Sequence, residues 1–195
     1  MAIARDPLYM VICGVGGQGN ILISRLLGRV LLKRGYNITV VDTFGVAQRG
    51  GAVSSHVRFG KKVYSPIITM GEADYLVMME KMESLRWLNY ANQSTIILVD
   101  DIEITPPIVN IGEMEYPGDI EQNLRNHFKE VHMISATSIA SELGNDRAAN
   151  VVLLGAFSTF LDITEKQWLT CLLTRLPERL HELNTRAFAA GKKAL

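Results

Sequence analysis

The sequence predicts an α/β protein in which helices cover both faces of a mostly parallel, mixed sheet, a three-layer α/β/α arrangement. Short apolar runs of strand length alternate with helical patterns along most of the chain. A glycine-rich turn joins the first strand to the first helix, and residues 52–59 alternate between apolar and polar side chains. The alternation indicates an inserted β-hairpin, and the last third of the chain reads as helices. We expect residues 1–195 to form one domain.

The first strand and helix follow from their apolar patterns. Residues 8–13 form a buried apolar run that ends at glycine, as a central strand does. Residues 21–33 then repeat apolar side chains at helical spacing, and Gly35 supplies a stop. Residues 36–41 predict a second buried strand that ends at Asp42, and residues 43–51 lack periodicity and predict a loop.

The alternating segment places Val53, Val57 and Phe59 on one face of a strand and Ser54, His56 and Arg58 on the other. The turn Gly60-Lys61-Lys62 predicts a hairpin with a second strand at residues 63–65. Further strands are predicted at residues 75–79, 95–99 and 131–134, and helices at residues 81–90, at 119–129 and over the chain beyond Ser138.

Composition limits the function classes. Twenty basic and twenty acidic side chains balance, with no basic cluster, so nothing favours nucleic acid as a partner. No apolar run reaches the roughly 18 residues of a membrane span, and we expect a cytoplasmic protein. The two cysteines, Cys13 and Cys171, form no Cys-x-x-Cys pair, so we expect the chain alone to bind no cluster or structural zinc.

The clearest chemical signal is the turn Cys13-Gly14-Val15-Gly16-Gly17-Gln18-Gly19-Asn20. In a strand-to-helix turn, glycines tolerate positive φ and let a ligand approach the backbone, while N–H groups at the helix start can hold a phosphate. Gly14, Gly16, Gly17, Gln18 and Gly19 are therefore candidate cofactor-binding residues. The same spacing also fits a tight turn that binds no ligand.

One interpretation is a stand-alone NAD(P)-dependent dehydrogenase of the Rossmann type. Asp42 follows the glycine turn at roughly the 20-residue spacing of a ribose-binding carboxylate. His56 and Arg58 would then form the substrate site, although a polar strand face that points at solvent explains them equally well. No other acid–base constellation is evident in the sequence, which counts against this interpretation.

A second interpretation starts at the loop that contains Gln48-Arg49-Gly50-Gly51. It follows a strand and lies next to the glycine turn, where α/β sheets place ligands. Gln48 offers both a donor and an acceptor, and Arg49 presents a fork for carboxylate or phosphate. A solvated turn with an exposed arginine is the alternative.

These motifs together resemble the gamma subunit or domain of the 2-oxoacid:ferredoxin oxidoreductases, with the indolepyruvate branch the most similar. The resemblance rests on the glycine turn, on Ala47-Gln48-Arg49-Gly50-Gly51 and on Ser55-His56-Val57-Arg58, and it spans nearly the whole chain. Further matches are Tyr64-Ser65-Pro66, Gly71-Glu72-Ala73-Asp74, Tyr116-Pro117 and Gly144-Asn145-Asp146-Arg147-Ala148-Ala149-Asn150. Asp100-Asp101 departs from the asparagine that related chains often carry.

The resemblance implies oxidative decarboxylation of a 2-oxoacid of the arylpyruvate, pyruvate or 2-oxoglutarate class to an acyl-CoA, with ferredoxin or flavodoxin as acceptor. It also implies thiamine diphosphate, magnesium and 4Fe–4S clusters, which we expect on partner subunits because this chain lacks their motifs. The chain would then be an accessory subunit that helps to complete the active site around coenzyme A. Gln48, Arg49, Gly50, Gly51, His56, Arg58, Asn145 and Asn150 become candidate substrate or interface residues, with no catalytic residue assigned. Homodimerisation of the isolated chain stays open.

Overall fold

The sheet has six strands in the order β2-β3-β1-β4-β5-β6 in a computed structural model that describes residues 6–45 and 51–195. The strands are β1 (Leu8–Val15), β2 (Asn37–Phe44), β3 (Ala52–Gly60), β4 (Tyr75–Met78), β5 (Ile96–Asp100) and β6 (Glu130–Ile134). β3 runs antiparallel to both its neighbours, and β1, β4, β5 and β6 pair in parallel. The predicted mixed, mostly parallel sheet is confirmed.

Eight α-helices connect and follow these strands in the described part of the chain. They are α1 (Asn20–Lys33), α2 (Lys81–Trp87), α3 (Pro107–Asn110), α4 (Ile120–His127), α5 (Ala136–Glu142), α6 (Ala149–Phe157), α7 (Glu165–Leu173) and α8 (His181–Lys193). Short 3-10 turns lie at Leu88–Tyr90, Asp146–Ala148, Ser158–Phe160 and Glu178–Leu180. None of the helices in these ranges is long and apolar enough to cross a membrane.

The helices cover both faces of the sheet, as the sequence predicts. On the first face, α1 and the helices α5 to α8 build the larger core around Phe157, Trp168 and Phe188. On the second face, α2 and α4 pack over Val11 and Leu76 of the central strands. Successive side chains of β1 point alternately into the two cores. A slip of one residue would exchange the two sets, so this packing fixes the register of the strand.

The hairpin differs from the predicted one. β3 pairs with β2 over residues 53–60, whereas residues 63–65 form no strand. β3 also separates β2 from β1, so β2 is an edge strand whose side chains are half-buried or exposed instead of buried. The antiparallel insertion is the main departure of this sheet from a dinucleotide-binding one.

Candidate functional site

A cleft of about 170 Å³ opens at the carboxyl ends of the parallel strands. The chain leaves β1 through α1 on the first face of the sheet and leaves β4 through α2 on the second face. The crevice between β1 and β4 is therefore the switch point at which open α/β sheets place ligands. Gly17 and Gln18, in the turn that follows β1, line the cleft together with Met79, the residue that follows β4.

Gln18 fastens the glycine turn to the neighbouring strand. Its side-chain carbonyl accepts a hydrogen bond from the Val15 N–H at 2.7 Å, and its amide donates to the Met79 carbonyl at 2.6 Å. Both bonds satisfy backbone groups at the ends of strands. Gln18 therefore joins the ends of β1 and β4 directly and forms part of the cleft floor.

The glycines of the turn allow close approach by the protein's own side chains. A Cβ atom on Gly14 would lie 2.7 Å from Met79 Cβ. Gly19 has a φ of 90°, and a Cβ there would overlap the amide of Asn150. Gly17 has a φ of 107°, and a Cβ added to it would meet no atom within 4 Å, so it faces the open cleft. Gly17, in contrast to Gly14 and Gly19, therefore has room for a ligand beside it.

The loop that follows β2 returns beside the turn. Gly45 N–H donates to the Ala52 carbonyl at 3.0 Å, and Gly16 N–H donates to the Gly51 carbonyl at 2.9 Å. Gly51 is therefore bound directly to the glycine turn. Gln48, Arg49 and Gly50 lie outside the described residues.

The far wall of the cleft begins at Asp100, which ends β5 and is 1% exposed. Its carboxylate accepts hydrogen bonds from the Thr137 amide at 3.1 Å and the Thr137 hydroxyl at 2.5 Å. Burial raises the pKa of Asp100, and these bonds oppose the rise. The sequence contained a signal for this residue, because an acidic side chain at the carboxyl end of a parallel strand lies at the ligand edge.

Glu80 holds the next part of that wall. It is buried at the start of α2, where it accepts a hydrogen bond from the Glu83 amide at 2.8 Å. Its other oxygen accepts from the Ile104 amide at 3.1 Å and from the Tyr116 hydroxyl. Burial and the Glu80 contact raise the pKa of the Tyr116 phenol above its usual range. These bonds fix residues 102–104 at the cleft.

Residues 145–150 close the cleft on the first face. The Asn145 side chain accepts a hydrogen bond from the Arg147 amide at 3.1 Å and so caps the 3-10 turn. Asn150 is buried against Gly19, and exposed Arg147 reaches the cleft mouth beside Asp146. Asn150, a candidate from the resemblance, therefore packs against the glycine turn. Arg147 was not among the candidate residues.

His56 and Arg58 lie away from the cleft. They face Val11 and Tyr9 across β1, whereas Val53 faces Gly14. A strand rise of about 3.4 Å per residue puts His56 about 10 Å from the Gly14 position. His56 packs edge-on to Trp87 and Tyr90, and burial lowers its pKa. The structure does not bring these two residues together with the glycine turn.

Asp42 is engaged within the sheet and does not stand ready for a ribose. Its carboxylate accepts a hydrogen bond from the Ser55 hydroxyl at 2.5 Å and a longer one from Ser24 at 3.4 Å. Ser24 belongs to α1, and Ser55 lies on β3 beneath that helix. In a dinucleotide-binding fold, the strand that precedes the ribose-binding carboxylate lies next to the first strand. In the described sheet β3 separates β2 from β1, so this arrangement is absent.

The cysteines cannot act together. Cys13 is buried in the core of the second face and Cys171 in the core of the first face, so the sheet lies between them. Burial raises the pKa of the Cys13 thiol well above its usual value, which disfavours the thiolate that metals need. Within the described ranges, no group of three or more His, Cys, Asp or Glu side chains could hold a metal ion.

A larger cavity lies at the opposite edge of the sheet. It measures about 360 Å³ and is bordered by Arg34, Tyr36, Phe59 and Phe160. Its walls come from the start of β2, the end of β3 and the turn before α7, none of which supplies a residue of the glycine turn. Position at the switch point therefore favours the smaller cleft as the functional site.

Residues 9–194 match the family model described as pyruvate ferredoxin/flavodoxin oxidoreductase. The chain belongs to this family. It is 34% identical over 190 residues to the indolepyruvate oxidoreductase subunit IorB of Thermococcus kodakarensis, covering 95% of this chain and 94% of that protein. It is 37% identical over 150 residues to the IorB subunit of Archaeoglobus fulgidus, covering 76% and 74% respectively.

Solved structures share the fold. The gamma subunit of a keto/oxoacid ferredoxin oxidoreductase from Geobacter sulfurreducens superposes with a TM-score of 0.70 at 22% identity, covering 96% of this chain and 97% of that one. The 2-oxoglutarate:ferredoxin oxidoreductase of Magnetococcus marinus gives 0.78 at 20% identity, covering 97% of this chain and 31% of that longer one. Family and fold identify an accessory subunit of the gamma type and overturn the stand-alone dehydrogenase alternative.

Proposed function

We propose that this gamma-type subunit serves an oxidoreductase that decarboxylates an arylpyruvate, with coenzyme A as co-substrate. In this reaction the bond to the carboxylate breaks and carbon dioxide leaves. The acyl carbon joins the coenzyme A sulfur, the thiol proton of coenzyme A is released, and the two electrons pass to ferredoxin or flavodoxin. The observation that carries the substrate class is the 34% identity, over 190 residues, with a protein named indolepyruvate oxidoreductase subunit IorB. A pyruvate synthase subunit from Methanothermobacter thermautotrophicus is more distant, at 25% identity.

The cofactors of the reaction belong, on this proposal, to partner subunits. The buried cysteines on opposite faces of the sheet do not fit a 4Fe–4S cluster, which needs four thiolates around one site. We likewise assign thiamine diphosphate and magnesium to a partner, because the sequence contains no Gly-Asp-Gly type motif for them. The role left to this chain is to bind and orient groups at the shared active site.

The cleft at the switch point is the part of the chain that we assign to the coenzyme A region. Gly17 leaves space beside the start of α1, and Arg147 adds a cation at the cleft mouth. Glycine backbone at a helix start and an arginine fork both suit phosphate groups. The M. marinus enzyme of this fold was solved with coenzyme A bound, which supports the assignment.

A substrate comparison tests the proposed function. The chain is purified with the thiamine-diphosphate subunit of its complex, and ferredoxin reduction is followed with indolepyruvate, phenylpyruvate, pyruvate and 2-oxoglutarate in the presence of coenzyme A. We expect kcat/KM for the two arylpyruvates to exceed that for pyruvate by at least about 100-fold, since an aromatic pocket discriminates by several kcal/mol. Equal or higher kcat/KM with pyruvate would reject the arylpyruvate assignment.

Two arginine variants test the role of this chain in binding coenzyme A. Arg147→Ala and Arg49→Ala should each raise the KM for coenzyme A about 10-fold, because a charge-assisted bond to phosphate contributes about 1.5 to 3 kcal/mol. Lysine at either position should recover part of the loss. Arg179→Ala, at another exposed position, is the matched control. A KM for coenzyme A that stays unchanged in both variants would remove this chain from the binding site.

A further inference from the structure

The segment between β3 and β4 presents large apolar side chains to solvent. Tyr64 is 88% exposed, and Ile67 and Met70 are each 63% exposed. Tyr64 is the most exposed large apolar side chain of the described residues. Single exposed apolar residues are common on protein surfaces, but three within seven residues of chain indicate a contact site. We call Tyr64, Ile67 and Met70 the ridge.

Bonds from β3 hold the ridge in place although it forms no regular structure. Ile68 is 1% exposed, and its amide donates to the His56 ring at 3.4 Å. Arg58 donates to the Ile67 carbonyl at 3.1 Å and to the Tyr9 hydroxyl at 2.7 Å, with its guanidinium carbon 4.3 Å from the centre of the Tyr9 ring. The two polar residues that the sequence suggested as a substrate site thus anchor this segment. Because these contacts hold the backbone of the segment in place, less conformational entropy is lost when its exposed side chains bind a partner.

Beside the ridge lies a groove of about 500 Å³ with a basic rim. Arg58, Lys61 and Lys62 line it together with the rings of Tyr9 and Tyr64. Asp6 is the acidic residue of the lining, and its carboxylate already accepts a hydrogen bond from the Lys61 amide at 2.8 Å. Lys61 and Lys62 form no ion pair with any residue in the described ranges. Three cationic side chains face one carboxylate in this lining, so the rim carries a net positive charge.

We propose that the ridge and its basic groove dock the thiamine-diphosphate subunit, through a face with apolar side chains bordered by Asp or Glu. The positive charge of the rim favours this occupant over a second copy of the chain. A two-fold contact centred on the groove would bring the basic rims of the two copies close together, which is repulsive. A carboxylate-bordered face on a different protein pairs these charges and buries the ridge. This proposal rests on the proposed function, because it needs that subunit as the partner.

Binding of purified chain to the purified thiamine-diphosphate subunit tests the proposal. Dissociation constants are measured by calorimetry at low and moderate salt for Tyr64→Ser/Ile67→Ser and for Lys61→Glu/Lys62→Glu. Leu32→Ser, at another exposed apolar side chain on α1, and Lys166→Glu, on α7, are matched controls on the first face of the sheet. Thermal unfolding verifies that the exposed substitutions leave the fold intact.

We expect each ridge and rim variant to weaken binding at least 10-fold, the controls to bind like the original chain, and the lysine variant to lose most of the salt dependence. Ridge and rim variants that bind like the original chain would overturn this proposal and leave the proposed function standing. Self-association that disappears in Tyr64→Ser/Ile67→Ser would show that a second copy is the occupant and would also overturn it. No binding by the original chain at either salt would overturn both proposals.

Discussion

Gln18 shows how a residue chosen as a ligand contact can serve the fold. Its side-chain amide accepts a hydrogen bond from the Val15 N–H and donates one to the Met79 carbonyl, so it joins the ends of β1 and β4 at the cleft. The sequence indicated the turn, because glycines with positive φ are recognisable where a strand meets a helix. It could not indicate Met79 or Asn150 as the close neighbours of Gly14 and Gly19, because both lie far along the chain. Local patterns contain no information about such distant contacts.

Two glycine variants separate conformational strain from close packing. Gly17→Ala should lower the free energy of unfolding by about 1 to 2 kcal/mol, because alanine disfavours positive φ and meets no neighbour there. Gly19→Ala should cost roughly 1 to 3 kcal/mol more, because its Cβ also overlaps Asn150. Urea unfolding of both variants and of Gly19→Ala/Asn150→Ala checks this. Equal losses for the two single variants would show that Asn150 does not pack against the turn.

At the scale of elements, the position of β3 is the feature that sequence patterns leave open. The alternation of Val53, Val57 and Phe59 correctly predicted a strand, but the strand is buried on both faces, because Ser54 and His56 are buried as well. The alternation gave no information about which strands pair with this one, and β3 lies between β1 and β2. The strand predicted at residues 63–65 was wrong because side chains of β3, His56 and Arg58, bind the following segment in place of a sheet ladder.

The His56 anchor predicts a pH dependence of stability. Neutral His56 accepts the Ile68 amide, and burial lowers its pKa below the ordinary value of about 6.5. Between the lowered folded pKa and 6.5 the unfolded chain binds more protons, so this contribution to stability is lost as the pH falls below 6.5. The fall should stay under about 1.4 kcal/mol per pH unit. Urea unfolding at pH 7, 6 and 5 measures it.

Asparagine at position 56 provides the control for this pH effect. His56→Asn retains an acceptor for the Ile68 amide without a titrating ring, so the loss of stability between pH 7 and 5 should shrink. His127→Asn, at an exposed histidine, should leave the loss unchanged. The interpretation would fail if His56→Asn kept the full acid sensitivity of the original protein.

At the scale of the whole molecule, the sequence predicted the fold class and the family, whereas the cleft is visible only in the structure. The glycine turn and Asn150 both line this cleft. The wall made by Asp100, Ile104 and Thr137 was not predicted, because these residues meet only once the strands β4, β5 and β6 are ordered. His56 and Arg58 carried a recognisable motif, yet strand register places them away from the cleft. Motifs identify functional residues more readily than they identify neighbours.

We propose that this chain contributes to catalysis only together with a thiamine-diphosphate subunit. The direct measurement is the rate of ferredoxin reduction with indolepyruvate and coenzyme A, for each purified subunit separately and for an equimolar mixture. We predict turnover in the mixture and none above background for either subunit separately. Full turnover by the thiamine-diphosphate subunit without this chain, or oxidoreductase activity of this chain by itself, would contradict the account.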